Sequence, residues 1–134
     1  LETAQVLGDQ QLLAETLGVT YRIAQAALEG RCCDGSMVYE RHAGGSYDND
    51  KHWWVQAENV VGEIYLYLFH NRRDMLQKAV QSWLYIRDNI VDREGGEWYW
   101  SRKGREVNRQ EDKAGFWKCP YHNSRMCLEL IGKL

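Results

Sequence analysis

Apolar residues along this chain recur mostly at the three-to-four-residue interval of a helix face, interrupted by two alternating runs with glycine turns. Leu1 to Leu7 has helical composition but no cap or charged lead-in, so it reads as the tail of a helix that begins outside this chain. Gly8-Asp9 closes it, and Asp9 is placed to cap the next helix. Over residues 10–29, Leu13, Leu17, Tyr21, Ala24 and Leu28 mark an amphipathic helix that Gly30 ends. Met37-Val38-Tyr39-Glu40, Gly44-Gly45 and Tyr47 predict a hairpin within residues 36–48. A second long helix is expected from Trp53 to Phe69, with Trp53, Ala57, Val60, Ile64 and Leu68 on one stripe. Asn71 and Asp74 have capping-box spacing, and Leu76, Val80, Trp83, Ile86 and Ile90 predict the apolar stripe of a third helix. Gly95-Gly96 breaks that helix. Glu97-Trp98-Tyr99-Trp100 and Arg105-Glu106-Val107 then form a second predicted hairpin, turning near Lys103-Gly104. Polar residues 108–113 lead to a last helix that opens at Pro120, where a missing N–H costs nothing, and ends near Gly132.

Laid against itself, the sequence repeats with a shift of roughly 63 residues. Leu13 falls on Leu76, Ile23 on Ile86 and Trp54 on Trp117, so each unit is helix, hairpin loop, helix. A helical pair of this kind cannot bury both apolar faces alone. The exposed faces should therefore pair with a missing part of the protein or with another copy. The length of 134 residues bounds the chain to a single domain, 1–134, and the fold class is all-α. A net charge of −2 without any basic run argues against a nucleic-acid partner. No apolar run approaches the ~20 residues that cross a bilayer, so no membrane partner is expected. Adjacent Cys32-Cys33 is a poor start for a disulfide framework, which makes a reducing cytoplasm the simpler setting. Six Trp and eight Tyr against two Phe favour aromatics with a polar handle, suited to carbohydrate surfaces and also to large helical cores.

Candidate chemistry concentrates in residues 116–127, Phe-Trp-Lys-Cys-Pro-Tyr-His-Asn-Ser-Arg-Met-Cys. His122 is expected in the first turn of the last helix, one turn before Arg125, with Trp117 just ahead of it. An indole beside an imidazole suits a sugar, whose C–H face stacks while its hydroxyls take hydrogen bonds. The plain alternative is a partly buried histidine with its tryptophan in the core. Trp54 and Glu58, four apart, share one helical face. Cys119 and His122 have zinc-ligand spacing and Cys32-Cys33 could add ligands, but no second spaced pair exists, so no metal is expected. A Cys119 thiol nucleophile is disfavoured too, since positions three apart beside Pro120 need not meet. His42, His52 and His70 read as loop or helix-end residues, and Glu97 as a surface hairpin carboxylate.

The 117–127 stretch, together with Lys51-His52-Trp53-Trp54-Val55-Gln56-Ala57-Glu58, resembles the N-acylglucosamine 2-epimerase superfamily, with the cellobiose and mannobiose 2-epimerases as the nearest likeness. The resemblance implies an (α/α)6 barrel with its active site among loops at one end. This chain would be its C-terminal third, about two helical hairpins with short β-hairpin loops. The activity implied is inversion of C2 in a reducing-end aldose, of the N-acetylglucosamine/mannosamine or glucose/mannose type such as cellobiose, through a cis-enediolate. That chemistry needs two acid–base groups on opposite faces and no cofactor, and imidazole fits with an unperturbed pKa of about 6.5. In the resemblance His122 exchanges the C2 proton, Glu58 orients a ring or hydroxyl, and Trp54 and Trp117 stack on a mono- or disaccharide. Lys118 and Arg125 are candidate stabilisers of charge on O1 or O2. The partner histidine belongs to a Gly-His-x-x-Glu-like segment ahead of Leu1, so this chain alone should be inactive. Three alternatives stand beside this one: an aldose–ketose isomerase of the same superfamily, a glycoside hydrolase, or a non-catalytic carbohydrate-binding module. The hydrolase needs paired carboxylates, and Glu58 is the only acidic residue set beside the aromatics.

Overall fold

A computed structural model describes residues 1–134 and contains five helices and two minimal hairpins. The helix of Trp53–Phe69 (α3) is the one the others are built against, and ten of its residues are buried. It packs along Asp74–Asn89 (α4) on one side and Tyr121–Lys133 (α5) on another. Gln10–Leu28 (α2) touches it more lightly, and Glu2–Leu7 (α1) packs on α2. The core joins Trp53, Ala57, Val60 and Val61 of α3 to Ile86 and Ile90 at the end of α4, Trp98 of the following loop and Met126 of α5. Burying each of these side chains contributes roughly 1.5–3 kcal/mol.

Asp9 caps α2 as expected, its Oδ1 accepting from the Leu12 N–H at 3.0 Å. Of the expected α2 stripe, Leu13, Leu17, Ala24 and Leu28 are half-buried and Tyr21 is exposed, because α2 has a neighbour along only part of its length. The capping box at Asn71 does not form. Asn71 adopts a left-handed φ of 52°, α4 starts without a side-chain cap, and Asp74 instead takes two hydrogen bonds from Arg72. The buried stripe of α4 is also displaced from the expected one. Met75, Ala79, Ser82, Ile86 and Ile90 face inward, whereas Leu76, Val80 and Trp83 are exposed. Small residues allow the close approach of α3 and α4 here, and the Ser82 hydroxyl accepts from Asn59 at 3.0 Å.

The hairpins are shorter than the alternating runs predict. Glu40–Arg41 (β1) pairs antiparallel with Tyr47–Asp48 (β2), and Arg102–Lys103 (β3) with Glu106–Val107 (β4). Met37 and Trp98 make isolated bridges to Arg31 and Val91 instead of strands. Lys51 and Arg102 exchange backbone hydrogen bonds, and the Trp53 N–H donates to the Trp100 carbonyl at 3.1 Å. The two hairpin loops therefore meet beside the N-terminal end of α3. No helix is long and apolar enough to cross a membrane.

Candidate functional site

The N-terminal turns of α3 and α5 lie next to each other, and their side chains form one cluster. Trp54 and Glu58 stand one turn apart on α3, and His122 and Arg125 stand one turn apart on α5. The Glu58 carboxylate bridges the two helices. Its Oε1 accepts from His122 Nδ1 at 2.9 Å and its Oε2 from Arg125 Nη1 at 2.6 Å. A carboxylate can only accept, so the ring carries its proton on Nδ1 when neutral and turns an unprotonated Nε2 toward the opening. Burial pushes the Glu58 carboxyl up, but the hydrogen bonds from Arg125 and His122 outweigh it and hold it below the ordinary carboxylate value. The ion pair therefore keeps the acceptor charged under the imidazole.

Trp54 tilts against His122, with ring centroids 5.7 Å apart and 39° between planes. Around them opens an aromatic cleft of about 410 Å³ lined by Tyr39, His52, Trp53, Trp54, Trp100, Trp117 and His122. Trp117 is 79% exposed, four residues before α5, and meets Phe116 edge-on at the rim. Both predicted tryptophans thus line the same hollow as the imidazole.

Lys118 is placed apart from the other candidate residues. Its side chain is enclosed, 1% exposed, with Nζ donating to Glu97 Oε1 at 3.1 Å and to the Lys113 carbonyl at 2.6 Å, above the Trp53 ring. The ammonium is thus engaged within the protein and does not line the cleft. Arg125 is beside the site, but its contact is with Glu58. Glu97 is no free surface carboxylate either: it also accepts from Asn123 Nδ2 at 2.8 Å.

Sequence reasoning set His52 aside and did not single out Tyr39 or Trp100. His52 stacks on Tyr39 with centroids 4.1 Å apart and meets Trp100 edge-on. Burial lowers its pKa against the opposing pull of Asp50 and Asp48. The available signal was proximity: His52 immediately precedes the Trp53-Trp54 pair. His42 is exposed, and His70 sits against Tyr21 and Thr20, away from the cleft. No three His, Cys, Asp or Glu side chains gather as metal ligands.

The profile of the N-acylglucosamine 2-epimerase (GlcNAc 2-epimerase) family matches residues 1–125. A cellobiose 2-epimerase of Bacteroides fragilis is 50% identical over 134 residues, which cover 98% of this chain and 34% of that protein. The structure of a sugar epimerase from a ruminal bacterium superposes with a TM-score of 0.89 at 33% identity, covering 97% of this chain and 34% of the other. That of the cellobiose 2-epimerase from Bacillus thermoamylovorans B4167 gives 0.82 at 36% identity, with 98% and 34% covered. The chain thus spans about a third of the length of the curated relatives it matches. Its helices correspond to part of the (α/α)6 barrel of these epimerase structures.

Proposed function

This chain belongs to the N-acylglucosamine 2-epimerase family, and we propose that it forms the C-terminal part of a sugar 2-epimerase and carries about half of the catalytic site. The observation that carries the proposal is the Glu58 bridge, which joins His122 to Arg125 beside Trp54 at the mouth of an aromatic cleft. A reducing-end aldose in open-chain form lies against Trp54 and Trp117. His122 Nε2 removes the C2 proton, the C–H electrons form the C1–C2 double bond, and negative charge passes to O1. Glu58 fixes the ring and balances the imidazolium, and Arg125 keeps Glu58 ionised. A proton returned to the opposite face completes the inversion.

The second acid–base group lies on a segment outside this chain. Glu58 also borders an apolar groove of about 380 Å³ between α2 and α3. The polypeptide of 134 residues alone is therefore inactive. A cytoplasmic setting belongs to the same proposal and rests on the adjacent Cys32-Cys33 pair.

The test uses the full-length protein with cellobiose in D2O, followed by NMR. Deuterium enters C2 and the mannose-type epimer accumulates. His122→Asn lowers the rate by about 10²–10⁴-fold, the range of a lost acid–base group. A ketose product would assign the isomerase reading instead, and bound sugar without exchange the binding-module reading.

A further inference from the structure

We infer that Glu97 is a positioning residue, a clamp in the α4–α5 loop that sets His122 and Trp117 against the substrate although it touches neither. Its Oε1 accepts from two donors, Lys118 Nζ at 3.1 Å and Asn123 Nδ2 at 2.8 Å. Lys118 directly follows Trp117, and Asn123 directly follows His122. One oxygen therefore holds the residue after the exposed indole, near the end of the arm, and the residue after the imidazole, in the first turn of α5. The arm needs such a hold. Thirteen residues, 108–120, separate β4 from α5, and α5 begins with no side-chain cap.

The clamp is itself braced. Glu97 adopts a φ of 62°, a left-handed conformation that is uncommon for a residue with a side chain and must be imposed by its surroundings. Its carbonyl accepts from the Asp92 N–H at 2.9 Å, and Lys113 bonds both Asp92, at 2.7 Å, and the Gly96 carbonyl, at 2.9 Å. The Lys118 ammonium, packed over the Trp53 ring at 5.2 Å, ties the same oxygen to the start of α3. Glu97 thus joins the α5 turn bearing His122 to the first turn of α3, which bears Trp54.

This inference rests on the proposed function for its kinetic reading, and a second readout frees it from that reading. The variants are Glu97→Ala, which removes the acceptor, and Asn123→Asp, which sets two carboxylates against each other. An acidic residue is well tolerated in the first turn of a helix, so Asn123→Asp leaves α5 able to form. The double variant Glu97→Gln with Asn123→Asp exchanges donor and acceptor and restores the bond. In the full-length protein each single variant lowers kcat about 10²-fold, the loss that a misplacement of about 1 Å causes, while KM changes by only a few-fold. The double variant recovers most of that loss. In parallel, the 1H–15N signal of the His122 Nδ1–H, hydrogen-bonded to Glu58, shifts or broadens in the single variants and returns in the double. If both single variants keep kcat and the imidazole signal, or if the double variant is no better than Asn123→Asp, the clamp is wrong. Should the wild type invert no sugar, the imidazole signal alone decides the clamp, and the functional reading falls separately.

Discussion

The two helix–hairpin–helix units share a plan but differ in how each enters its second helix. Both have an isolated bridge after the first helix, Arg31 to Met37 and Val91 to Trp98, followed by a minimal hairpin. In the first unit four residues, 49–52, then lead straight into α3, so Trp54 is already helical. In the second, thirteen residues intervene, and Trp117 stands on that arm instead of on the helix. Each unit also has an ion pair with one partner fully enclosed. Arg31 bonds Glu63 at 2.6 Å in the first, and Lys118 bonds Glu97 at 3.1 Å in the second. The Arg31 pair ties helix to helix, reaching the Lys78 carbonyl and Gln81 as well. The Lys118 pair ties an arm to a loop. The first unit frames its site residues, Trp54 and Glu58, on a helix; the second carries Trp117 on an arm that must be held in place.

The largest expected effect breaks the frame. Arg31→Ala in the full-length protein leaves Glu63, 1% exposed, without its partner, and costs about 3–5 kcal/mol in chemical denaturation. Molecules that remain folded keep their kcat. If the variant lost activity without losing stability, the division into frame and site would be wrong.

A smaller effect separates the two tryptophans. Trp54 is half-buried against His122 and Tyr39, so Trp54→Ala costs about 2 kcal/mol of stability, less than the roughly 3–5 of a fully buried Trp. Trp117→Ala stays within about 0.5 kcal/mol, as an exposed rim residue should. Both raise KM for the sugar. Denaturation midpoints beside initial rates check the contrast, and equal stability losses would erase it.

The same contrast explains what could be read from sequence. Glu58 and Trp54 were legible because one turn of helix fixes their shared face, and Arg125 follows His122 by the same rule. The α4 stripe differs from the one expected because the spacing of its large apolar residues does not mark the buried face. The α3–α4 approach demands small residues, Ala79 and Ser82, and leaves Leu76, Val80 and Trp83 outside. The pairing of Lys118 with Glu97 was not legible. A lysine next to a sugar-stacking indole, and a glutamate after two glycines, look solvent-facing until a left-handed backbone at Glu97 folds one onto the other. His52 and Tyr39 meet only because the first hairpin returns across the start of α3, a contact that no local spacing predicts.

The smallest effect is in acid, where the two carboxylates that close the units respond in opposite senses. Burial pushes the Glu97 carboxyl up, but Lys118 and the Trp98 N–H outweigh it and leave it below its ordinary value. Its contribution is complete above the unfolded value of about 4.3 and is lost as pH falls through the lower folded value. Burial raises Glu63 despite the hydrogen bond from Arg31. The folded state therefore holds that proton more readily than the unfolded chain does. The resulting stabilisation is complete below about 4.3 and is lost as pH rises through the folded value. Acidification should therefore loosen the arm before the frame. In denaturation midpoints taken from neutral pH down to about pH 3, Glu97→Gln flattens the acid limb relative to wild type, because a group that must gain a proton to unfold is gone. Glu63→Gln steepens it, because a group that gains its proton more easily in the folded state is gone. Parallel limbs in all three proteins would mean that these carboxylates titrate alike, and that the arm and the frame are one unit in acid.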